Sequence, residues 1–91
     1  MLVRVHIIIR GLVQGVCFRH YCRQQAERLD LKGFVRNNAD GSVEAVAEGE
    51  DESIKSFVAW CRRGPATARV KACEENYEAL TGEFNSFTIG F

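Results

Sequence analysis

The sequence contains a single proline, no low-complexity tract and no apolar run that approaches the ~20 residues of a membrane-spanning helix. Its first residues lack an apolar block followed by a small-residue cleavage site, so we expect no signal peptide and a soluble, cytoplasmic protein. Hydrophobic residues make up 46% and charged residues 26% of the chain, which is typical of globular proteins. The 91 residues predict one domain, residues 1–91, with a thin core.

Recognisable metal-binding and disulfide patterns are also missing. The chain has no Cys-x-x-Cys pair, and His6 and His20 have no partner at metal-ligand spacing. Nothing indicates secretion, so we expect the cysteines to be reduced and mostly buried as small hydrophobic residues. They are Cys17, Cys22, Cys61 and Cys73. We therefore expect no metal ion, and a chain of 91 residues is too short to house a large organic cofactor, so we expect no cofactor.

Common catalytic and nucleic-acid-binding patterns are absent as well. The chain has no Ser-His-Asp set, no suggestively spaced carboxylate pair, no Walker-type Gly-Lys-Ser/Thr sequence and no aromatic-basic pattern of an RNA-binding sheet. The net charge is zero, but residues 1–37 hold seven basic and two acidic side chains (+5), whereas residues 38–91 carry −5. The basic first half predicts an anionic partner, for which a small phosphate or carboxylate fits better than a nucleic acid.

Two hydrophobic periodicities alternate along the chain and predict strands and helices in turn. Alternation with a period of two predicts strands over residues 3–9, 32–36, 42–48, 68–73 and 87–91. Apolar residues at helical spacing predict a first helix from Phe18 to Leu29. A second apolar stripe predicts a helix that is capped near Asp51 or Ser53 and ends before Gly64. The Asp-Gly pair within residues 38–41 predicts a hairpin turn.

The order of these elements is β-α-β-β-α-β with a short C-terminal strand, and residues 74–83 form a polar connecting stretch. This order predicts an α+β, ferredoxin-like sandwich in which two helices cover one face of a mainly antiparallel sheet. Because this fold carries many functions, the function has to be inferred from a site.

Residues 15–19 lie between the first predicted strand and the first predicted helix and form the candidate anion site. Backbone N–H groups at a helix start lack intrahelical partners and lie at the positive end of the helix dipole. Gly15 permits a tight turn that lets these amides converge on one anion, and Arg19 can add a planar guanidinium fork. A strand–helix turn often contains glycine without any ligand, and an arginine in a first turn is expected to be exposed. Both interpretations stay open on this pattern alone.

Asn37 ends the second predicted strand, directly before the hairpin turn. Asparagine is most often a turn former at such a position. The predicted fold nevertheless brings this strand end to the same edge of the sheet as the start of the first helix. There, an amide could both donate to and accept from a water molecule. His20 is expected to point away from Arg19, because neighbours in a helix differ by about 100°, and His6 is expected to be structural.

Two segments resemble the signatures of the acylphosphatase family. Residues 9–19 read IRGLVQGVCFR and resemble the first signature. Residues 33–37 read GFVRN and, continuing through Gly41, Val43 and Gly49, resemble the second. Order and spacing agree, and the resemblance covers essentially the whole chain. It departs from the family pattern at Cys17, where many members carry glycine, and at His20, where an aromatic residue is common.

The resemblance implies hydrolysis of the carboxyl–phosphate bond of acyl phosphates to a carboxylate and inorganic phosphate, without a metal or cofactor. It implies that Arg19 binds the phosphate and that Asn37 positions the attacking water. The phosphate would also meet the amides of Gly15, Val16, Cys17, Phe18 and Arg19. We expect a monomer that binds neither nucleic acid nor membrane. Two alternatives remain: a non-catalytic phosphate- or carboxylate-binding regulatory module of the same fold, and a nucleic-acid-binding ferredoxin-like domain.

Overall fold

The computed structural model describes residues 1–90 and contains the predicted elements in the predicted order. The strands are β1 (Leu2–Leu12), β2 (Lys32–Asn37), β3 (Val43–Glu50), β4 (Arg69–Glu78) and β5 (Phe87–Ile89). The helices are α1 (Phe18–Arg28) and α2 (Asp51–Arg63). The βαββαβ order with a short last strand is therefore confirmed, while Phe91, the end of the predicted last strand, lies outside the described residues.

The five strands form one sheet in the order β4-β1-β3-β2-β5. β1 lies antiparallel between β3 and β4, and β2 lies antiparallel to β3. The short β5 pairs in parallel with β2. The sheet is thus mainly antiparallel, as predicted, and the hairpin between β2 and β3 pairs Asn37 with Val43 next to the turn.

One face of the sheet packs against both helices and forms the core. The alternating residues of β1, Val5, Ile7 and Ile9, are fully buried on this face. The buried helix residues are Phe18, Cys22 and Ala26 on α1, and Ile54, Phe57, Val58 and Cys61 on α2. Full burial of a valine, isoleucine or phenylalanine side chain stabilises a fold by about 1.5–3 kcal/mol. The apolar stripes that are visible in the sequence are therefore the surfaces that hold the two layers together.

β4 is longer than predicted, because it continues through the polar residues 74–78. These residues pair with β1 from Ile8↔Glu74 to Arg4↔Glu78. β4 is an edge strand, so its charged side chains reach solvent or the basic residues of β1. Charged residues are a common feature of edge strands, and here they concealed the strand from the hydrophobic periodicity.

β1 is also longer than predicted, because it passes through Gly11 to Leu12 with a bulge after Arg10. Gly11 has φ 132°, and a Cβ atom there would lie 2.1 Å from the carbonyl oxygen of Arg69. Only glycine fits such a close approach of two backbones. The residue that looked like the start of a turn therefore keeps β1 paired with β4 up to the candidate anion site.

β3 ends later than predicted, and α2 follows it without a connecting loop. β3 continues through Gly49 to Glu50, and α2 begins at the next residue, Asp51. Glu50 occupies the N-cap position, and no side chain caps the helix there. The acidic residues Asp51 and Glu52 in the first turn stabilise the helix start through its dipole instead.

Much of the uneven charge distribution is used within the chain. Several bases of the first half form ion pairs with acids of the second half. The pairs are Arg4–Glu48 at 3.0 Å, Arg10–Asp40 at 3.2 Å and Arg36–Glu44 at 2.8 Å. Three of the seven bases of the first half are therefore already paired with acids of the second half. The start of α1, where Arg19 lies, is the candidate place for an external anion.

The cysteines divide by position. Cys22 and Cys61 are fully buried, as predicted, whereas Cys17 is exposed and Cys73 is half-buried. The two cysteines on the apolar helix faces are therefore buried, and Cys17, which lies in the candidate anion site, is exposed. Within residues 1–90, neither helix has the length and apolar character that crossing a membrane requires.

Candidate active site

The loop between β1 and α1 brings backbone amides to an open helix start. Gly15 (φ 74°) and Cys17 (φ 61°) both adopt left-handed backbone conformations. Cys17 is the N-cap of α1, and its side chain makes no capping hydrogen bond. The first turn also contains no acidic residue, so the unpaired N–H groups and the positive end of the dipole can act on an anion.

The left-handed conformation of Cys17 is a feature that sequence reasoning missed. A residue with a Cβ atom pays about 1–2 kcal/mol for this conformation, which glycine adopts freely. Such strain in a loop that opens a helix is typical of ligand-binding turns. The resemblance that places glycine at this position in many relatives was the available signal.

A cavity of about 430 Å³ lies beside this helix start. Residues from α1, the loop that precedes it, β2 and β5 line it. They are Val13, Gly15, Cys17, Phe18, Arg19, His20, Asn37 and Ile89. The structure thus brings Arg19 and Asn37, which come from different elements, to one cavity.

Val16 is the predicted site residue that does not line this cavity. Its side chain packs against the core, and its carbonyl oxygen accepts a hydrogen bond of 2.8 Å from the Thr67 hydroxyl. Conversely, His20 lines the cavity together with Arg19, although the helical rotation between neighbours predicted otherwise. Ile89 was also missed, because only the pairing of β5 with β2 brings it there. His6 lies elsewhere, with its Nε2 atom 2.5 Å from the Glu44 carboxylate.

The Arg19 guanidinium is held at the cavity by the backbone of Gly90, which follows β5. Its Nη1 atom donates a hydrogen bond of 3.2 Å to the carbonyl oxygen of Gly90. The N–H of Gly90 in turn donates to the carbonyl oxygen of Val35 on β2, at 2.8 Å. Arg19 is half-buried, so the expectation of an exposed side chain is wrong. The contact restricts the guanidinium to the neighbourhood of the cavity.

The Asn37 side chain has an unsatisfied acceptor. Its Oδ1 atom is buried and makes no hydrogen bond within residues 1–90. A buried polar atom without a partner costs about 1–3 kcal/mol, so such an atom calls for an explanation. Asn37 lines the cavity, where a hydrogen-bond donor could satisfy this oxygen.

The turn that follows Asn37 is held by a closed polar network. The N–H of Asn38 donates to the carbonyl oxygen of Ser42 at 2.8 Å, and the Ser42 hydroxyl donates to Asp40 at 2.6 Å. The hydrogen bonds from the hydroxyl and the N–H of Ser42 lower the pKa of Asp40, and Arg10 lowers it further. The turn therefore has its own rigid structure and does not depend on the Asn37 side chain.

In the part of the chain that the structure describes, no three His, Cys, Asp or Glu side chains lie close enough together to hold a metal ion. The groups that face the cavity are instead backbone amides, a guanidinium, an imidazole and a carboxamide. These are groups suited to binding an anion and a water molecule.

Comparisons with known proteins identify a family. The model of the acylphosphatase family matches residues 5–89 of the chain. The chain is similar to the acylphosphatase of Methylococcus capsulatus, with 49% identity over 86 residues that cover 94% of each chain. Its fold matches the crystal structure of acylphosphatase from Bacillus subtilis with a TM-score of 0.93, at 33% identity and with both chains fully covered.

A larger protein contains a similar unit. The crystal structure of full-length HypF in its phosphate- and nucleotide-bound form matches the whole chain with a TM-score of 0.90 and 27% identity. The match covers 12% of the HypF chain. The same fold therefore occurs both alone and as part of a much longer polypeptide.

Proposed function

Because the chain belongs to the acylphosphatase family of acyl-phosphate hydrolases, we propose that the cavity at the start of α1 is its active site. Arg19 and Asn37 are the catalytic residues in this proposal. The phosphate group of an acyl phosphate lies against the amides of Gly15 and residues 17–19, and the acyl group extends into the remaining volume.

Arg19 binds and stabilises the phosphoryl group. Its guanidinium presents a planar fork that can donate two parallel hydrogen bonds to phosphate oxygens. The loop amides and the helix dipole add further positive potential at the same place. Charge that develops on the phosphoryl oxygens in the transition state is stabilised by these groups, and the contact with Gly90 limits how far the arginine must move.

The leaving group explains why so few side chains are sufficient. The carboxylate that leaves has a conjugate acid with a pKa of about 4, judged from Asp and Glu side chains, so it departs without a general acid. The water oxygen forms a bond to phosphorus while the bond from phosphorus to the acyl oxygen breaks. In this proposal the water proton passes to an oxygen of the phosphoryl group itself. Alignment and charge stabilisation then supply most of the catalysis, with no metal ion required.

The observation that carries the proposal is the unpartnered Oδ1 atom of Asn37 beside the cavity. A water molecule between Asn37 and the phosphate would donate to this oxygen and direct its own lone pair towards phosphorus. The energy lost by leaving the oxygen without a partner would be recovered when the water binds. Asn37 thus acts as a positioning group for the nucleophile.

Phosphate release from a synthetic acyl phosphate, such as acetyl phosphate, tests the proposal directly. Inorganic phosphate should inhibit competitively and raise the melting temperature, because a ligand that binds only the native state stabilises it. A chelator should leave the activity unchanged. Activity that is lost on chelation and restored by one metal ion would overturn the metal-free mechanism.

The alternative is a module that binds phosphate or carboxylate without turnover. The similarity to one part of HypF supports it, since that match covers a small share of a longer chain. Binding of phosphate without hydrolysis of any acyl phosphate would favour this alternative.

We also propose that residues 1–91 form a single domain that acts as a cytoplasmic monomer without nucleic-acid or membrane partners. The one five-stranded sheet supports the single domain. The internal pairing of Arg4, Arg10 and Arg36 supports the absence of a nucleic-acid surface. Sedimentation of the purified protein tests the monomer.

A further inference from the structure

We propose that Gln14 is a positioning residue. It fixes the position of the anion-binding loop relative to the end of β2, where Asn37 lies. The inference rests on the proposed function, because it concerns how the two catalytic residues are aligned. Gln14 precedes Gly15 in the loop between β1 and α1, and it is half-buried. Its Nε2 atom donates two hydrogen bonds to the hairpin turn, to the carbonyl oxygens of Asn38 at 2.8 Å and Ser42 at 2.9 Å.

The two acceptors lie on opposite sides of the turn that follows Asn37. Asn38 is the next residue after Asn37, and Ser42 directly precedes Val43, the cross-strand partner of Asn37. Both hydrogens of the Gln14 amide are therefore used. One holds the backbone next to Asn37, and the other holds the backbone next to Val43. A single side chain on the loop thus holds the strand end from both sides.

Gln14 provides the hydrogen bonds between these two parts of the site. Among the hydrogen bonds of residues 1–90, those that join residues 13–17 to residues 37–43 come from the Gln14 amide. Arg10 on β1 also forms an ion pair with Asp40 in the turn, and both side chains are about half exposed. Exposed ion pairs contribute little and tolerate movement.

The rate of the proposed reaction depends on the distance between the anion-binding loop and Asn37, because the groups that bind the phosphate and the residue that positions the water lie on separate elements. The phosphate is bound by the loop and Arg19, whereas the water is positioned by Asn37 on β2. In-line attack requires the water to lie at a defined distance and angle from phosphorus, and a shift of about 1 Å can lower the rate by about 10²-fold. The Oδ1 atom of Asn37 has no hydrogen bond of its own in the described residues, so its place depends on the backbone that Gln14 holds.

The turn does not need Gln14 in order to fold. The carbonyl oxygen of Ser42 also accepts from the N–H of Asn38 at 2.8 Å, and that of Asn38 accepts from the N–H of Gly41 at 3.2 Å. Neither carbonyl group loses its last partner when the glutamine amide is removed. A variant without the amide should therefore keep the hairpin and lose only the link between hairpin and loop.

The test compares Gln14→Met, which keeps the length of the side chain but has no donor, with the matched control Gln24→Met on the exposed surface of α1. We expect Gln14→Met to lower kcat by about 10- to 100-fold, because alignment is lost. The inhibition constant of inorganic phosphate should change by less than about threefold, since the loop amides and Arg19 remain. Gln24→Met should match the wild type in both quantities.

A double-mutant cycle separates alignment from a general structural role. If Gln14 acts by placing Asn37, then Gln14→Met should lower kcat little further in an Asn37→Ala background. Additive losses would overturn the proposal, as would an unchanged kcat in Gln14→Met or a loss of phosphate binding as large as the loss of kcat. Gln14→Leu, which also lacks the donor, gives the same comparison should Gln14→Met not fold.

The outcome for Gln14 is distinguishable from that for the active site itself. If Arg19→Ala and Asn37→Ala lose turnover while Gln14→Met keeps it, the site stands and the positioning role is wrong. If Asn37→Ala keeps full turnover, the proposed function of Asn37 fails, and the inference about Gln14 fails with it.

Discussion

Arg4 and Glu48 form an ion pair with a distance of 3.0 Å on the sheet face opposite the helices, and the Glu48 side chain is only 8% exposed. Glu48 also accepts hydrogen bonds from the N–H groups of Thr81 and Gly82. The Arg4 guanidinium additionally contacts Glu78 and Glu83. The Glu48 carboxylate therefore connects β3 with β1 and with the segment after β4, which lies more than 30 residues further along the chain than Glu48.

This cluster predicts a loss of stability in acid. Burial alone would raise the pKa of Glu48, but the hydrogen bonds from Thr81, Arg4 and Gly82 outweigh it and hold the pKa below its ordinary value of 4.5. A carboxyl whose pKa is lowered on folding contributes stability above its unfolded pKa and loses that contribution as the pH falls through the folded one. Near neutral pH we expect Glu48→Gln to melt at a lower temperature than the wild type, and the difference between their melting temperatures to be at its largest. It should shrink steadily as the pH falls below this ordinary value of 4.5. A difference that stays constant down to strong acid would contradict the assignment.

Arg19→Ala should lower turnover by about 10²–10³-fold, because a preorganised donor to the phosphoryl group is removed. Arg19→Lys should stay impaired, since an ammonium group cannot reproduce the planar fork. Kinetics with a synthetic acyl phosphate measure both effects, and Arg28→Ala, in the last turn of α1, is the matched control. Wild-type turnover in either folded Arg19 variant would remove this residue from the mechanism.

Asn37→Ala separates catalysis from folding sharply. Because the Oδ1 atom makes no hydrogen bond within residues 1–90, its removal should cost little stability. Phosphate should still bind through Arg19 and the loop amides, while turnover falls by about 10²-fold or more through loss of the near-attack geometry. Calorimetric phosphate titration and steady-state kinetics measure the two quantities, with Asn76→Ala on the exposed side of β4 as the control.

Asn37→Asp should be poor in both binding and turnover. A carboxylate can accept from water, but near neutral pH it places a negative charge beside the phosphate. Equal phosphate affinity in the Asp and Ala variants would show that the residue at position 37 does not face the bound anion.

Thiol labelling should report the location of the phosphate site. Cys17 is exposed and lines the cavity, so it should react in the folded protein. Cys61 is fully buried, and burial and its contact with Cys22 raise its pKa. Burial first, and the nearby Cys61 next, raise the pKa of Cys73 to about 11. Since the thiolate is the reactive form, these thiols should react slowly or only after unfolding.

Saturating inorganic phosphate should slow the labelling of Cys17 and leave that of Cys73 unchanged. Mass spectrometry after timed alkylation resolves the individual sites. If phosphate inhibits the enzyme but leaves the labelling rate of Cys17 unaltered, the anion binds elsewhere than in this cavity.

The sequence by itself determined the elements whose pattern is local. The alternation of Val5, Ile7 and Ile9 and the helical spacing of Phe18, Cys22 and Ala26 are carried by neighbouring residues, and the core uses those same faces. The two signature segments likewise named Arg19 and Asn37, because their residue types and spacing are linear features. These patterns identified the family and the fold.

The tertiary structure decided what depends on distant parts of the chain. The polar half of β4 becomes a strand only because β1 pairs with it, and the bases of the first half find their acidic partners only across the sheet. Gln14 reaches the turn after Asn37, and Arg19 meets Gly90, only when β2, β5 and α1 are packed together. The hydrophobic periodicity of a segment indicates which of its side chains face the core and which face solvent. It does not record which backbone carbonyl a side chain will meet once distant segments are adjacent, because that is set by strand order and register.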